Sequence, residues 1–175
     1  MNTYYIKQKV FSLKDRYFVY DKDEQPVYEV NGKFFSVGAE LTISDLNGSD
    51  LYRIKQRVLS FLGAYDIYEN EHLCASIKRQ ASFFRPKLTV ESNENNYKIE
   101  GDFWDYNFSI TKDGHTIGII EKEWFTFGDS YKLTVNDSES DALFITLVIA
   151  IDHCLHNNKN NPELFMTIQK KLWID

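Results

Sequence analysis

Ten consecutive residues late in the chain, Ala142 to Ile151, carry no charge and a single hydroxyl: Ala-Leu-Phe-Ile-Thr-Leu-Val-Ile-Ala-Ile. Asp141 and Asp152 close the run at its two ends. A helix needs about 20 apolar residues to cross a bilayer, so this one falls short. A helix that is apolar on every side must instead be surrounded by protein. The rest of the chain therefore has to supply a shell. Ser138-Glu139-Ser140-Asp141 offers capping oxygens before the run, and Asn157-Asn158 offers a stop after it. The pattern predicts a buried central helix over about 141–157.

The preceding 135 residues supply candidates for that shell. They hold short runs rich in β-branched and aromatic residues, such as Tyr17-Phe18-Val19-Tyr20, Leu51-Tyr52-Arg53-Ile54 and Phe108-Ser109-Ile110. Runs of this kind, punctuated by Gly, Asn and Asp, read as strands of a meander. Asp45-Leu46-Asn47-Gly48 and Lys112-Asp113-Gly114 supply hairpin turns, because these residues tolerate positive φ. Pro86 cannot donate to a ladder, which predicts an edge or a bulge there. After the central helix, Asn161-Pro162-Glu163 reads as a second helix start. Leu164, Phe165, Ile168 and Leu172 then share one face, predicting an amphipathic helix over about 162–173. No linker interrupts the chain, so residues 1–175 are expected to form a single domain.

The strand region repeats itself. Val30-Asn31-Gly32 matches Ile99-Glu100-Gly101 at an offset of 69. Ile54, Phe61, Tyr65 and Ile67 then match Ile120, Phe127, Tyr131 and Leu133 at an offset of 66. The two copies run over about 28–70 and 97–136. Two similar β-meanders and one all-apolar helix imply a mainly β fold with the helix inside. The chain is also rich in rings, with 13 Phe, 11 Tyr and 3 Trp. Large rings suit the space between a sheet and a helix it encloses.

Common catalytic chemistries find little support. The chain holds no Gly-x-Ser-x-Gly elbow and no glycine-rich phosphate loop. Cys74 lies in a strand-like run, Leu73-Cys74-Ala75-Ser76-Ile77, and reads as a small buried thiol. Asp152-His153-Cys154-Leu155-His156 clusters metal-ligating types, but reads as a helix end where His favours the dipole. Asp45 to Gln56 fails as a calcium loop, with Asp50 where the sharp-turn Gly belongs and Gln56 where a bidentate Glu belongs. Glu121 with Glu123, and Asp102 with Asp105, read as solvated surface pairs. No metal, no cofactor and no catalytic set are expected. The N-terminus shows no basic segment followed by an apolar run, and two cysteines make no disulfide framework. A cytoplasmic location, with peripheral membrane association as the variant, is the expectation.

Charge is unevenly placed. The net charge of −6 argues against a protein that coats nucleic acid, and no nucleic-acid partner is expected. Residues 53–87 hold seven bases (Arg53, Lys55, Arg57, Lys78, Arg79, Arg85 and Lys87) against three acids, a net of +4. Residues 88–141 hold four bases against twelve acids, a net of −8. In a regular strand Arg53, Lys55 and Arg57 share one face. Their repeat counterparts are Ile119, Glu121 and Glu123. Arg can hold two phosphate oxygens at once, so these seven bases are the candidate anion site. The competing reading is an ordinary solvated exterior that protects strand edges.

The order of elements resembles the LURP-one-related family, which is similar in fold to tubby C-terminal domains and phospholipid scramblases. The resemblance is carried by Val30-x-Gly32, Asp45-x-x-Gly48, Tyr52-x-Ile54-x-x-Arg57-x-x-Ser60, Tyr65-x-Ile67-Tyr68 and the segment Trp124 to Asp152. It covers about 4–155. The turn Asp21 to Pro26 departs from it by lacking a Gly, and the tail 161–175 has no match. The resemblance implies a closed antiparallel barrel of about twelve strands around a central hydrophobic C-terminal helix. It implies no enzyme. A binding module follows, with an anionic lipid headgroup or another phosphorylated ligand as partner. One alternative is a protein-interaction domain anchored by Trp104 or Trp173, with no small ligand. The other is scramblase-like membrane lipid activity, by resemblance only.

Overall fold

The computed structural model describes residues 1–7, 16–34, 38–60, 62–80, 87–92, 97–102, 107–125, 128–136 and 140–156. Twelve strands come first: β1 (Asn2–Lys7), β2 (Arg16–Asp21), β3 (Pro26–Phe34), β4 (Ala39–Asp45), β5 (Asp50–Gln56) and β6 (Ala64–Glu69). They continue with β7 (His72–Gln80), β8 (Lys87–Ser92), β9 (Tyr97–Asp102), β10 (Asn107–Lys112), β11 (His115–Phe125) and β12 (Gly128–Val135). One helix, α1 (Asp141–His156), follows. The helix expected over about 162–173 lies outside the described residues, as does Pro86.

All pairings are antiparallel, and the strands run in the order β8-β7-β6-β5-β4-β3-β2-β1-β12-β11-β10-β9. The order is a meander with one long closure: β12 returns to pair with β1 over Asn2↔Val135 to Lys7↔Ser130. The two terminal strands, β8 and β9, come within 8 Å of each other, which makes the sheet a nearly closed barrel. The hairpins β2–β3, β4–β5, β6–β7 and β10–β11 each carry a register shift near their turn. Such bulges sharpen the right-handed twist that closure demands.

Alternation places one side of each strand inward. Val19, Val30, Ile43, Ile54, Ile67, Ile77, Ile110, Ile120 and Leu133 are all fully buried. Inside them lies α1, with Phe144, Ile145, Leu147, Ala150 and Ile151 inaccessible to solvent. The helix touches β1, β5, β6, β7 and β12, and the Phe144 ring meets Tyr97 of β9 edge-on at 5.6 Å. The apolar run is enclosed on every side, as its composition demands. No described helix is long and apolar enough to cross a membrane.

The two repeats share one register. Ile54 pairs with Ile67 on β5–β6, and Ile120 pairs with Leu133 on β11–β12. Their buried tyrosines both reach the last turns of α1. Tyr131 Oη donates to Asp152 Oδ1, and Tyr65 packs on His153 with ring centroids 6.4 Å apart. At the other end Asp141 Oδ2 accepts hydrogen bonds from Asn2 Nδ2 at 2.8 Å and Tyr4 Oη at 2.6 Å. The carboxylate also suits the positive end of the helix dipole.

The turn without glycine follows the same plan as the one with it. Asp45 Oδ1 accepts from the backbone N–H groups of Asn47 and Ser49, and Gly48 takes φ +87°. Asp21 Oδ1 accepts from those of Asp23 and Gln25, and Glu24 takes φ +58°. The aspartate builds the turn in both cases, so a non-glycine residue is forced into the left-handed region at Glu24.

Candidate functional site

On β5 the inward positions are Tyr52 and Ile54, so Arg53 and Lys55 face outward. Arg57 follows just beyond the strand and continues that outward row. Across the ladder Lys55 is opposite Asp66 of β6, and Asp66 is opposite Ser76 of β7. Lys78, two residues after Ser76, extends the same outer face. Four of the seven candidate bases are thereby brought onto one outer face, spread over β5 and β7 with β6 between them.

Three of those four are matched by carboxylates. Arg57 grips Asp66 with both arms, Nε to Oδ2 at 2.5 Å and Nη2 to Oδ1 at 2.6 Å. Ser76 Oγ donates to the same Asp66 Oδ1 at 2.7 Å, and Arg57 Nη2 also reaches Ser76 Oγ at 3.0 Å. The hydrogen bonds that the guanidinium donates to Asp66 raise its pKa further. Arg53 pairs with Glu71, and Lys78 Nζ lies 2.6 Å from Glu91. Lys55 stacks its ammonium 5.2 Å over the Tyr68 ring. Its cross-strand neighbour Asp66 is occupied by Arg57.

Arg79 is not part of this face. It falls on the same side of β7 as buried Ile77, and its backbone N–H donates to Gly63 O at 3.1 Å. Its charge acts on Cys154 of α1 instead. Arg85 lies outside the described residues, as does the side chain of Lys87 at the start of β8. The candidate anchors Trp104 and Trp173 lie outside them too.

The second repeat inverts the charges at matching positions. Outward Glu121 of β11 is opposite Lys132 of β12, where the first repeat sets Lys55 opposite Asp66. Lys132 Nζ lies 3.7 Å from Glu121 and 3.9 Å from Glu123. Each ladder balances its own charge, by opposite assignments. The Arg53 position is Ile119 in the second copy, 42% exposed.

The other candidate chemistries resolve into structure. Cys154 is buried against the barrel wall, and burial pushes its thiol up to about 11. Among the described residues, no three His, Cys, Asp or Glu side chains converge as a metal set. His156's side chain lies outside the described residues. Asp45, first residue of the failed calcium loop, is spent on its turn, and the Ser49 N–H leads in holding its carboxyl below the usual range.

Two features escaped the sequence reading. The first is an axial polarity. One barrel end holds the turns at Asp21, Asp23 and Glu24, at Asp45 and Asp50, at Glu69 and Glu71, and at Asp113. Lys22 and Lys112 stand among these acids; among the described residues Arg16, Lys33, Lys55, Arg57, Lys78 and Arg79 lie toward the opposite end, against Glu40, Asp66, Asp102 and Glu123. Linear segment counts mix the two ends, because each strand crosses between them. The second is the β5–β6 connection. Ser60 N donates to Arg57 O at 3.2 Å, closing a turn with Val58 and Leu59 at its centre. Val58 is 52% exposed and Leu59 is 96% exposed.

Three comparisons bear on this barrel. The family model described as LURP-one-related matches residues 2–152. The uncharacterized protein YxjI of Bacillus subtilis (strain 168) is 33% identical over 157 residues, covering 89% of this chain and 95% of that protein. The X-ray structure of an Arabidopsis thaliana protein superposes with a TM-score of 0.60 at 12% identity, over 86% of this chain and 88% of that one. The last similarity establishes the shared fold.

Proposed function

The chain belongs to the LURP-one-related family, and from that premise we propose that it is a non-enzymatic binding module for an anionic ligand. The ligand chemistry is a phosphate group, carried by a lipid headgroup or by another phosphorylated molecule. The observation that carries the reading is the outer face of β5 to β7. Arg53 and Lys55 stand there on β5 and Lys78 on β7, with β6 between them, while the positions of β11 that match Arg53 and Lys55 are Ile119 and Glu121. One repeat has kept bases where the other has none.

The existing ion pairs do not block this use. Glu71 and Glu91 are both more than half exposed, at 66% and 57%. Exposed pairs of this kind are worth only about 0–1 kcal/mol. A phosphate oxygen can therefore replace either carboxylate at little loss. Arg57 differs, because its carboxylate is buried. It is a positioning residue that holds β5 against β6 and β7.

The test follows from that division. Inositol hexakisphosphate serves as a soluble probe in calorimetric titration against wild type and Arg53→Ala/Lys55→Ala. Loss of two charge-assisted contacts is expected to weaken binding about tenfold or more. Arg57 is left intact, because its removal would confound binding with folding. Equal affinity of both proteins for the probe would overturn the reading.

A further inference from the structure

The turn Arg57-Val58-Leu59-Ser60 breaks the ordinary chemistry of turns. Central turn positions favour Gly, Pro, Asn, Asp and Ser, each for a conformational reason. Here they hold a β-branched residue and a leucine whose side chain touches almost nothing, at 96% exposure. The exposure of Leu59 brings no folding energy. A local rule broken without structural return marks a functional position. Leu46, 54% exposed in the turn at the opposite barrel end, provides an internal comparison. It stands between Asp45 and Asp50, whereas Val58 and Leu59 follow directly on Arg57, with Lys55 next along the strand and Lys78 on the same face.

We propose that the β5–β6 turn docks the barrel end-on against an anionic lipid bilayer, with Val58 and Leu59 entering the headgroup layer and Lys55 and Lys78 facing lipid phosphates. This rests on the anion-binding reading above and names its partner. Charge complementarity selects the occupant. A surface that joins exposed aliphatic groups to cations matches a bilayer interface, where apolar contact and attraction to anionic lipid act together. The axial polarity sets the orientation. The end bearing Asp21, Asp23, Glu24, Asp45, Asp50, Glu69, Glu71 and Asp113 against Lys22 and Lys112 carries net negative charge among the described residues, is repelled by the same surface and faces away.

The experiment is co-sedimentation with vesicles of phosphatidylcholine alone and of phosphatidylcholine mixed equally with phosphatidylserine. The proteins are wild type, Val58→Ser/Leu59→Ser, and Leu46→Ser as the control from the acidic end. Wild type is expected to pellet with the mixed vesicles and not with phosphatidylcholine alone. The double variant is expected to bind about tenfold more weakly, and Leu59→Ser alone, at a side chain 96% exposed, is expected to weaken binding with an unchanged melting temperature. Leu46→Ser is expected to match wild type. Binding of the double variant at wild-type strength would overturn end-on docking while leaving the anion reading intact. Binding of inositol hexakisphosphate without any vesicle binding would do the same, assigning the face to a soluble phosphorylated ligand. A concentration-dependent dimer in sedimentation velocity that Leu59→Ser abolishes would assign the turn to self-association and also overturn the proposal. Failure of the inositol probe in calorimetry would remove the anion reading itself.

Discussion

Replacing Arg57 with alanine separates the structural role of this residue from any role in binding. Asp66 is 8% exposed and accepts three hydrogen bonds, two from the guanidinium and one from Ser76. Removing Arg57 leaves a nearly buried carboxylate with one donor and no close positive partner other than Lys55 across the ladder. Breaking a fully buried pair costs about 3–5 kcal/mol, whereas exposed pairs are worth about 1 kcal/mol or less. The Arg57 side chain is 41% exposed, so water enters from one side when it is lost. A cost of about 2 kcal/mol follows, between the two limits. In a chain of this size that lowers Tm by about 4–8 °C.

A double-mutant cycle in urea supplies the assay. Arg57→Ala should lose about 2 kcal/mol, while Asp66→Ala, which leaves a solvated arginine, should lose about 1 kcal/mol. The double variant should lose little more than Arg57→Ala alone, because the second substitution removes the orphaned charge. A coupling of about 1 kcal/mol is expected. Additive losses, or an Arg57→Ala variant within about 0.5 kcal/mol of wild type, would refute the argument. Arg57 would then rejoin Arg53, Lys55 and Lys78 as a side chain available to a ligand.

Gly101 adopts φ +144°, and a Cβ there would lie 2.5 Å from Asn107 O and 2.6 Å from Phe108 Cα, both backbone atoms. Gly101→Ala should cost about 2–4 kcal/mol in urea unfolding through strain and overpacking, more than Gly48→Ala, whose surroundings are open. Glu24 holds the left-handed φ that Gly48 holds in the parallel turn, so Glu24→Gly should stabilise the fold by about 0.5–1 kcal/mol, read as a raised urea midpoint. Burial raises the Tyr52 hydroxyl to about 12, aided by its hydrogen bond to Glu69. A raised folded-state pKa gives stability that is present below pH 10 and is lost as pH rises toward 12, so wild type should lose stability across that window and Tyr52→Phe should lose less.

The architecture was legible because the apolar helix and the repeat each admit few solutions. A run such as Ala142 to Ile151 can be satisfied only by enclosure, and its offset-66 companions show which strand faces do the enclosing: Ile54 and Ile120, Tyr65 and Tyr131 are buried in matching register. Periodicity carries that information because inward and outward positions alternate. The site was only partly legible, for two physical reasons. Alternation assigns a face but not a partner, so Arg53, Lys55 and Arg57 look equivalent along the chain. Only the folded side chains show that Asp66, opposite Lys55 in the register, binds Arg57 instead. Charge counted along the chain also averages over both barrel ends, since a meander carries every strand from one end to the other. The polarity emerges once Asp21, Asp45, Glu69 and Asp113 are seen as turns at a common end. That geometry turns a chain of net charge −6 into a body with one acidic pole and one pole where Val58 and Leu59 stand beside cations. An anionic surface interacts with the near pole of such a body, not with its average charge, because screening limits the reach of each charge to about 10 Å.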